Sequence, residues 1–250
     1  IRGIVLTHAH EDHIGALGWL WTRIKAPLYA TPFTAFLIRE KLREAGILNE
    51  VKIIEVPLSG TIDLGPFQVT MITMTHSIAE PNGLAIKTPL GTVLHTGDWK
   101  IDNDPVVGER TDVDFIQKLG DEGVLAMVCD STNVFVDGVA GSEGEVKVKL
   151  AELIQGLKGR VAVGCFASNV ARMHSVISAA EAAGRRVALA GRSMHRITAA
   201  AKSVGMLNDI KPFLSEQEAK IWPADEILYL CTGSQGEARA ALSRVAEGTH

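Results

Sequence analysis

The chain has 250 residues, 46% of them hydrophobic and 22% charged, with a net charge of −4. That length can bury one large core or two smaller ones, and that composition excludes a disordered chain. The acidic balance excludes a surface that is basic throughout, though a local basic groove remains compatible with it. Residues 1–6 read as a buried strand, and a helix is expected from about residue 14, with Leu17, Trp21 and Ile24 on one face. Residues 27–30 read as a short strand, and 32–45 as a helix that opens on Pro32, whose fixed φ and missing N–H suit a first turn. Strands are expected at 52–56, 60–64 and 69–74. Residues 83–88 and 92–96 flank Pro89-Leu90-Gly91 and read as a hairpin.

From about residue 142 the rhythm changes. Helix 143–157, strand 160–165, helix 170–183, strand 186–190 and helix 194–204 follow in turn. A short helix at 215–221, strand 226–231 and helix 237–246 complete the series. Regular alternation of apolar strands with helices implies a doubly wound parallel sheet, so the class is α/β with a domain boundary near residue 142. Neither a Walker A pattern nor Gly-x-Gly-x-x-Gly occurs, which leaves nucleotide-cofactor binding without support. Cys129, Cys165 and Cys231 each lie in an apolar run without a Cys-x-x-Cys, so reduced, buried strand cysteines of a cytoplasmic protein are expected. No apolar run reaches transmembrane length and no signal peptide is read, so no membrane partner is expected. Both ends, Ile1 within a strand pattern and His250 just after a helical one, read as cuts through a larger protein.

Chemistry concentrates in residues 6–13, Leu-Thr-His-Ala-His-Glu-Asp-His. A lone histidine is most often solvated or hydrogen-bonded. Here His8, His10, Asp12 and His13 crowd together directly after a strand, and imidazole and carboxylate are ligands for zinc and similar divalent ions. His76, in Thr-Met-Thr-His-Ser, and Asp98, in Thr-Gly-Asp-Trp-Lys, also follow strands. His8 and His10, two apart at a strand end, project the same way, whereas Asp12 and His13 open the next helix and approach from another side. That favours two metals, with His8, His10 and His76 on the first, Asp12 and His13 on the second, and Asp98 between them. Two ions about 3.5–4 Å apart activate water and polarise a phosphoryl or carbonyl oxygen. Asp12 is also placed to orient that water or take its proton. The N/O donor set suits Zn2+, with Mn2+ the alternative. His95, His174 and His195 lie in a strand end or in helices and read as surface or structural residues.

At these residues the chain resembles the metallo-β-lactamase superfamily, whose second, third and fourth motifs match the run to His13, His76 and Asp98. Its first motif would lie before Ile1. Cys129-Asp130-Ser131-Thr132-Asn133 resembles the motif that opens the β-CASP nucleic-acid-processing branch. Phe166-Ala167-Ser168-Asn169, Gly191-Arg192-Ser193-Met194 and Thr232-Gly233-Ser234-Gln235-Gly236-Glu237 are similar to loops of the ribonuclease J group, which Gly97-Asp98-Trp99-Lys100-Ile101-Asp102 also fits. The resemblance implies a metallo-β-lactamase αβ/βα sandwich over 1–142, truncated at its N-terminus, and a doubly wound parallel-sheet β-CASP domain over 143–250, truncated at its C-terminus.

It further implies a two-metal ribonuclease of RNA processing and decay, a 5′-to-3′ exonuclease with endonuclease activity that hydrolyses phosphodiesters with a metal-activated hydroxide. The implied partner is 5′-monophosphorylated RNA, and the implied full-length protein is a cytoplasmic homodimer. By the same resemblance Asp130 lies near the metals as a supporting or proton-handling carboxylate, and Ser168, Asn169 and Ser234 face the RNA 5′ end or backbone. Independently, these loops fall at the carboxyl ends of expected parallel strands, where hydroxyls and helix-start N–H groups suit phosphate. The plainer alternative is that Gly191 and Gly233 allow tight turns and Ser168 caps a helix. The family's later histidines, one for metal and one for phosphate, would lie beyond His250, so an incomplete site is expected here. Competing readings are a hydrolase of small esters, thioesters or lactams on this fold, a β-CASP nuclease of the mRNA 3′-end or DNA-processing type, and a non-catalytic RNA-binding scaffold.

Overall fold

The computed structural model describes residues 1–249. They form two compact units, one of Ile1–Asn103 with Gly108–Ala140, the other of Asp104–Val107 with the residues from Gly141 onward.

The first unit contains β1 (Ile4–Val5), α1 (Glu11–Ile14), α2 (Leu17–Ile24), β2 (Leu28–Ala30), α3 (Pro32–Glu44) and β3 (Ile53–Glu55). It continues with β4 (Thr61–Leu64), β5 (Phe67–Thr73), β6 (Asn82–Thr88), β7 (Gly91–His95), α4 (Val113–Glu122) and β8 (Ala126–Val128). Helical crossovers join β1 to β2 and β2 to β3, so these strands pair parallel in the order β1-β2-β3. Short turns join β4 to β5 and β6 to β7, and the mixed sheet β4-β5-β6-β7-β8 is antiparallel as far as β7. The return through α4 then lays β8 parallel to β7.

Strand alternation gives this sheet two apolar faces. Val69, Met71 and Leu84 pack with Val56 and Ile62 beneath Val5 and Tyr29 of the parallel sheet. Ile72, Met74, Ala85 and Leu94 pack beneath Phe115, Ile116 and Leu119 of α4. The result is the layered α/β arrangement expected of a metallo-β-lactamase fold.

The second unit contains α5 (Glu143–Gly156), β9 (Val161–Gly164), α6 (Val170–Ala182), β10 (Arg186–Ala190), α7 (Arg192–Ser203), α8 (Glu216–Ile221), β11 (Ile227–Cys231) and α9 (Ala241–Ala246). Its sheet is wholly parallel in the order β10-β11-β9, so the last strand is threaded between the first two. Ile227, Tyr229 and Cys231 of β11 pack on one face with Ala219 of α8 and Ala241 of α9. The alternate residues Leu228 and Leu230 are fully buried on the other face, and α6 packs against both β10 and β11. Both faces are therefore covered, as a doubly wound sheet requires.

Some features differ from what the sequence implies. Residues 103–141, for which the only expectation is a strand at Cys129, contain α4 as well as β8, which ends just before that cysteine. Cys165 and Cys231 are buried, but Cys129 is exposed, because β8 is the edge strand of its sheet and its residues face out.

Candidate metal centre

The site is assembled at one edge of the mixed sheet by strand direction. β5 and β7 are both antiparallel to β6 and therefore run the same way, and β8 is parallel to β7. The residues just past their ends, His76, Asp98 and Asp130, consequently emerge at the same edge. The segment after β1 is tied there too, because the backbone N–H and the Nδ2 of Asn82 both donate to Thr7 O, at 3.0 and 3.2 Å. The Lys100 N–H donates to Thr75 O at 2.8 Å, joining the Asp98 loop to the His76 loop. Gly97 is required in that loop: its φ is +59°, and a Cβ there would lie 2.6 Å from Asn82 O.

His10 stands at the N-cap of α1 with extended backbone, while Asp12 and His13 lie within the helix, whose first turn is closed by the His13 N–H donating to His10 O. His76 Nε2 lies 3.1 Å from His10 Nδ1. The two oxygens of Asp98 point to different neighbours. Oδ1 is 3.3 Å from His13 Nε2, and Oδ2 is 3.7 Å from His76 Nε2 and 3.9 Å from His8 Nε2. Asp12 Oδ2 is 3.5 Å from His13 Nε2. Two groups of potential donors result, His8, His10, His76 and Asp98, then Asp12, His13 and Asp98, with the donor atoms of each group within 4.8 Å of one another. Asp98 belongs to both.

The residues fit a divalent cation. His8 is fully buried, and its Nε2 has no hydrogen-bond partner among the described residues. A buried polar atom is rarely left so unless something else occupies its lone pair. The ring's other nitrogen, Nδ1, is 3.0 Å from Thr7 Oγ1, and the tautomer that donates Nδ1–H to Thr7 turns the Nε2 lone pair toward the cluster. Burial, with the neighbouring His13, His10 and His76, pushes His8 down to about 2. Burial, with His10 close by, pushes His76 down to about 4, and His10 is lowered mainly by its own burial. At neutral pH these rings are uncharged donors rather than mutually repelling cations.

Asp130 lies outside both groups. Its Oδ1 accepts the Thr132 hydroxyl at 2.7 Å and the Thr132 N–H at 2.9 Å, which hold its carboxyl below the usual range. Its own N–H donates to Thr96 Oγ1 at 3.0 Å, just before the Asp98 loop. His95 Nδ1 accepts the Gly97 N–H, His174 pairs with Asp209, and His195 is exposed on α7; none is in either donor group.

Ser168, Asn169 and Ser234 belong to the second unit. They lie in loops at the carboxyl edge of its parallel sheet, with Ser168 half-buried and Ser234 exposed. These loops approach closely: a Cβ on Gly191, whose φ is +116°, would meet Thr232 Oγ1 at 2.6 Å, and one on Gly164 would meet Ser234 Cα at 3.5 Å. The cap of α6 is Asn169 rather than Ser168. Asn169 Oδ1 accepts the Arg172 N–H at 2.9 Å, and its Nδ2 donates to Glu143 Oε1 at 3.2 Å, so both ends of this buried amide are engaged within the fold. Sequence reasoning missed Thr7 and Glu143. Thr7 is flagged only by standing next to His8, and the Glu143 partners lie 26 and 29 residues away.

The model of the metallo-β-lactamase superfamily matches residues 1–124, and that of the ribonuclease J β-CASP domain matches residues 158–250. Ribonuclease J of Sinorhizobium meliloti is 48% identical over 246 residues, covering 98% of this chain and 44% of that protein. Ribonuclease J of Mycolicibacterium smegmatis is 44% identical over 252 residues, covering 100% of this chain and 45% of that protein. The chain thus spans a little under half the length of these curated relatives. A crystal structure of a protein of unknown function from Enterococcus faecalis V583 shares the fold, with a TM-score of 0.63 and 17% identity over 91% of this chain and 58% of that one.

Proposed function

The chain belongs to the ribonuclease J family, in the β-CASP branch of the metallo-β-lactamase superfamily, and from that premise we propose that it carries the metal centre and part of the RNA-binding surface of a metal-dependent ribonuclease. The observation that carries the reading is the pair of donor groups sharing Asp98. His8, His10, His76 and Asp98 would hold one ion, and Asp12, His13 and Asp98 a second, with Zn2+ the first choice for this N/O set and Mn2+ the other. When bound, such a pair of ions supplies a nucleophile from water at neutral pH and offsets the charge that builds on the phosphoryl oxygens.

The chain's own residues do the remaining work. Asp12 has 76% of its side chain exposed, so its carboxylate can reach substrate-side water, orient it and accept its proton. Asp130, held by Thr132 as an ionised carboxylate, has no proton to give; it adds negative charge beside His76 and could accept or relay a proton rather than supply one. The Ser168 and Ser234 hydroxyls suit phosphate at the carboxyl edge of the β-CASP sheet. Asn169 acts there by shaping its loop.

Preference for a 5′-monophosphate, combined 5′-to-3′ exonuclease and endonuclease activity, a homodimer, a cytoplasmic setting and a domain boundary near residue 142 complete this reading. No helix among the described residues is long and apolar enough to cross a membrane. The test is cleavage of 5′-monophosphorylated RNA by full-length protein loaded with zinc or manganese. Cleavage that is lost with chelator and in His10→Ala is expected; cleavage indifferent to His10→Ala would sink the reading.

A further inference from the structure

Glu143 is the first residue of α5 and is only 6% exposed. A buried carboxylate is costly to keep ionised unless its oxygens are paired. Here the pairing is complete in geometry. Arg172 donates Nε–H to Oε2 at 3.1 Å and Nη2–H to Oε1 at 3.1 Å, a two-pronged contact, and Asn169 Nδ2 donates to Oε1 at 3.2 Å.

What these partners do matters more than the ion pair itself. Asn169 closes the loop Phe166-Ala167-Ser168-Asn169. Its N–H donates to Phe166 O at 3.2 Å, the Val170 N–H donates to Ser168 O at 3.0 Å, and its Oδ1 takes the Arg172 N–H at the start of α6. The Glu143 carboxylate decides which way the Asn169 amide points, because Nδ2 must face an acceptor for Oδ1 to face the helix. Glu143 is itself anchored. The Ser142 hydroxyl donates to Asp104 O at 2.9 Å and accepts the Gly144 N–H at 3.1 Å, and Gly144 leaves room for Asp104, whose Oδ2 would lie 1.9 Å from any Cβ.

We propose that Glu143 is a positioning residue for RNA binding: through Asn169 and Arg172 it locks the Phe166-to-Asn169 loop in the shape that presents Ser168 to the phosphate of an RNA 5′ end. The proposal rests on the ribonuclease reading of that loop. Glu143 touches no substrate. Its effect passes through the loop and therefore falls on binding rather than on the hydrolytic step.

The test compares full-length, metal-loaded protein with its Glu143→Gln, Glu143→Asp, Arg172→Ala and Glu143→Gln/Arg172→Ala forms. One oligoribonucleotide is used with either a 5′-monophosphate or a 5′-hydroxyl, and bound metal and amide hydrogen exchange are followed in parallel. In Glu143→Gln and Arg172→Ala the KM for the monophosphorylated RNA is expected to rise about tenfold, with kcat within about twofold. The double variant is expected to be no worse than the poorer single one, since the two groups act as a unit. Glu143→Asp should recover part of the loss, metal content should stay at the parent level, and the 5′-hydroxyl RNA should be unaffected. Amides of residues 168–172 should exchange faster in Glu143→Gln. Unchanged exchange, or an unchanged ratio of the two KM values in folded variants, overturns the proposal. A parent protein that neither binds nor cleaves RNA overturns the ribonuclease reading instead, and the exchange experiment still decides whether Glu143 holds the loop.

Discussion

Asp98→Ala is the substitution that the geometry separates most sharply from its neighbours. Its two oxygens face different histidines, Oδ1 at 3.3 Å from His13 and Oδ2 at 3.7 and 3.9 Å from His76 and His8. Removing it cuts both donor groups, whereas His10→Ala cuts only the group that also contains His8 and His76. Loss of a residue that merely supports a ligand weakens metal binding about 10–100-fold. Loss of a ligand shared by both groups should therefore cost at least about 100-fold at each, or about 2.7 kcal/mol per ion. The assay is elemental analysis of full-length protein after dialysis against a weak chelator, with thermal unfolding as a check that each variant is folded. The parent should retain about two ions per chain, His10→Ala about one, and Asp98→Ala essentially none. Equal metal content in Asp98→Ala and His10→Ala would refute the shared-ligand geometry, and two retained ions in Asp98→Ala would refute ligation by Asp98 altogether.

Three further outcomes follow from single contacts. Thr7→Val removes the hydroxyl 3.0 Å from His8 Nδ1 while keeping side-chain shape, and should weaken metal affinity about tenfold with the fold intact, as read by competition with a chromogenic chelator. Metal-free protein should lose stability as the pH falls below about 6.5, because His8 and His76, at about 2 and about 4 in the folded state, bind protons more readily once unfolded; that stability is full above 6.5 and declines from there, down to about 4 for the His76 part and about 2 for the His8 part. Glu80 acts in the opposite sense, since burial raises it above its usual 4.5, so Glu80→Gln should steepen the net acid loss; a thermal midpoint that stays flat from about pH 7 to about pH 5 in that variant would count against neutral buried histidines. Phe33→Ala, which empties a fully buried position at the start of α3, should cost about 3–5 kcal/mol in urea unfolding; a loss below about 1 kcal/mol would mean that the site collapses around the missing ring.

Most of the element order could be read in advance because it follows from short-range pattern. Pro32 opens α3, Gly91 turns β6 into β7, and the apolar strands β9, β10 and β11 stand out between helices. The gathering of His8, His10, Asp12 and His13 was legible for the same reason, since spacing along one strand end and one helix start decides it. α4 is not legible in the local pattern although Phe115, Ile116 and Leu119 form its apolar face, because the polar stretch before it hides the periodicity. Cys129 is exposed although its run reads as core, because β8 is as apolar as a core strand while lying at a sheet edge, and burial of an edge depends on neighbours that local sequence does not name. The last helix begins at Ala241 rather than near 237, because Thr232 Oγ1 accepts the Ala241 N–H and the preceding residues turn at Gly233 and Gly236.

What stayed hidden is governed by strand order. The three strands are parallel and so share one carboxyl edge in any order, but β11 lies beside β9, which makes the Ser168 and Ser234 loops neighbours although about 65 residues of chain separate them. A parallel sheet in the order 9-10-11 would have separated the Ser168 and Ser234 loops by the width of an intervening strand. Glu143 illustrates the same dependence. Read alone, Ser142-Glu143 is a helix start with an acid in its first turn, which any exposed helix could carry. It becomes a different residue only because α5 packs along α6 and delivers the carboxylate to Arg172 and Asn169. An acid at a helix start gives away little when it faces water. Once it is buried against a guanidinium at a loop that ends a parallel strand, the cost of its burial is offset by the hydrogen bonds from Arg172 and Asn169, and the same bonds fix a loop of the kind where an α/β sheet binds its ligand.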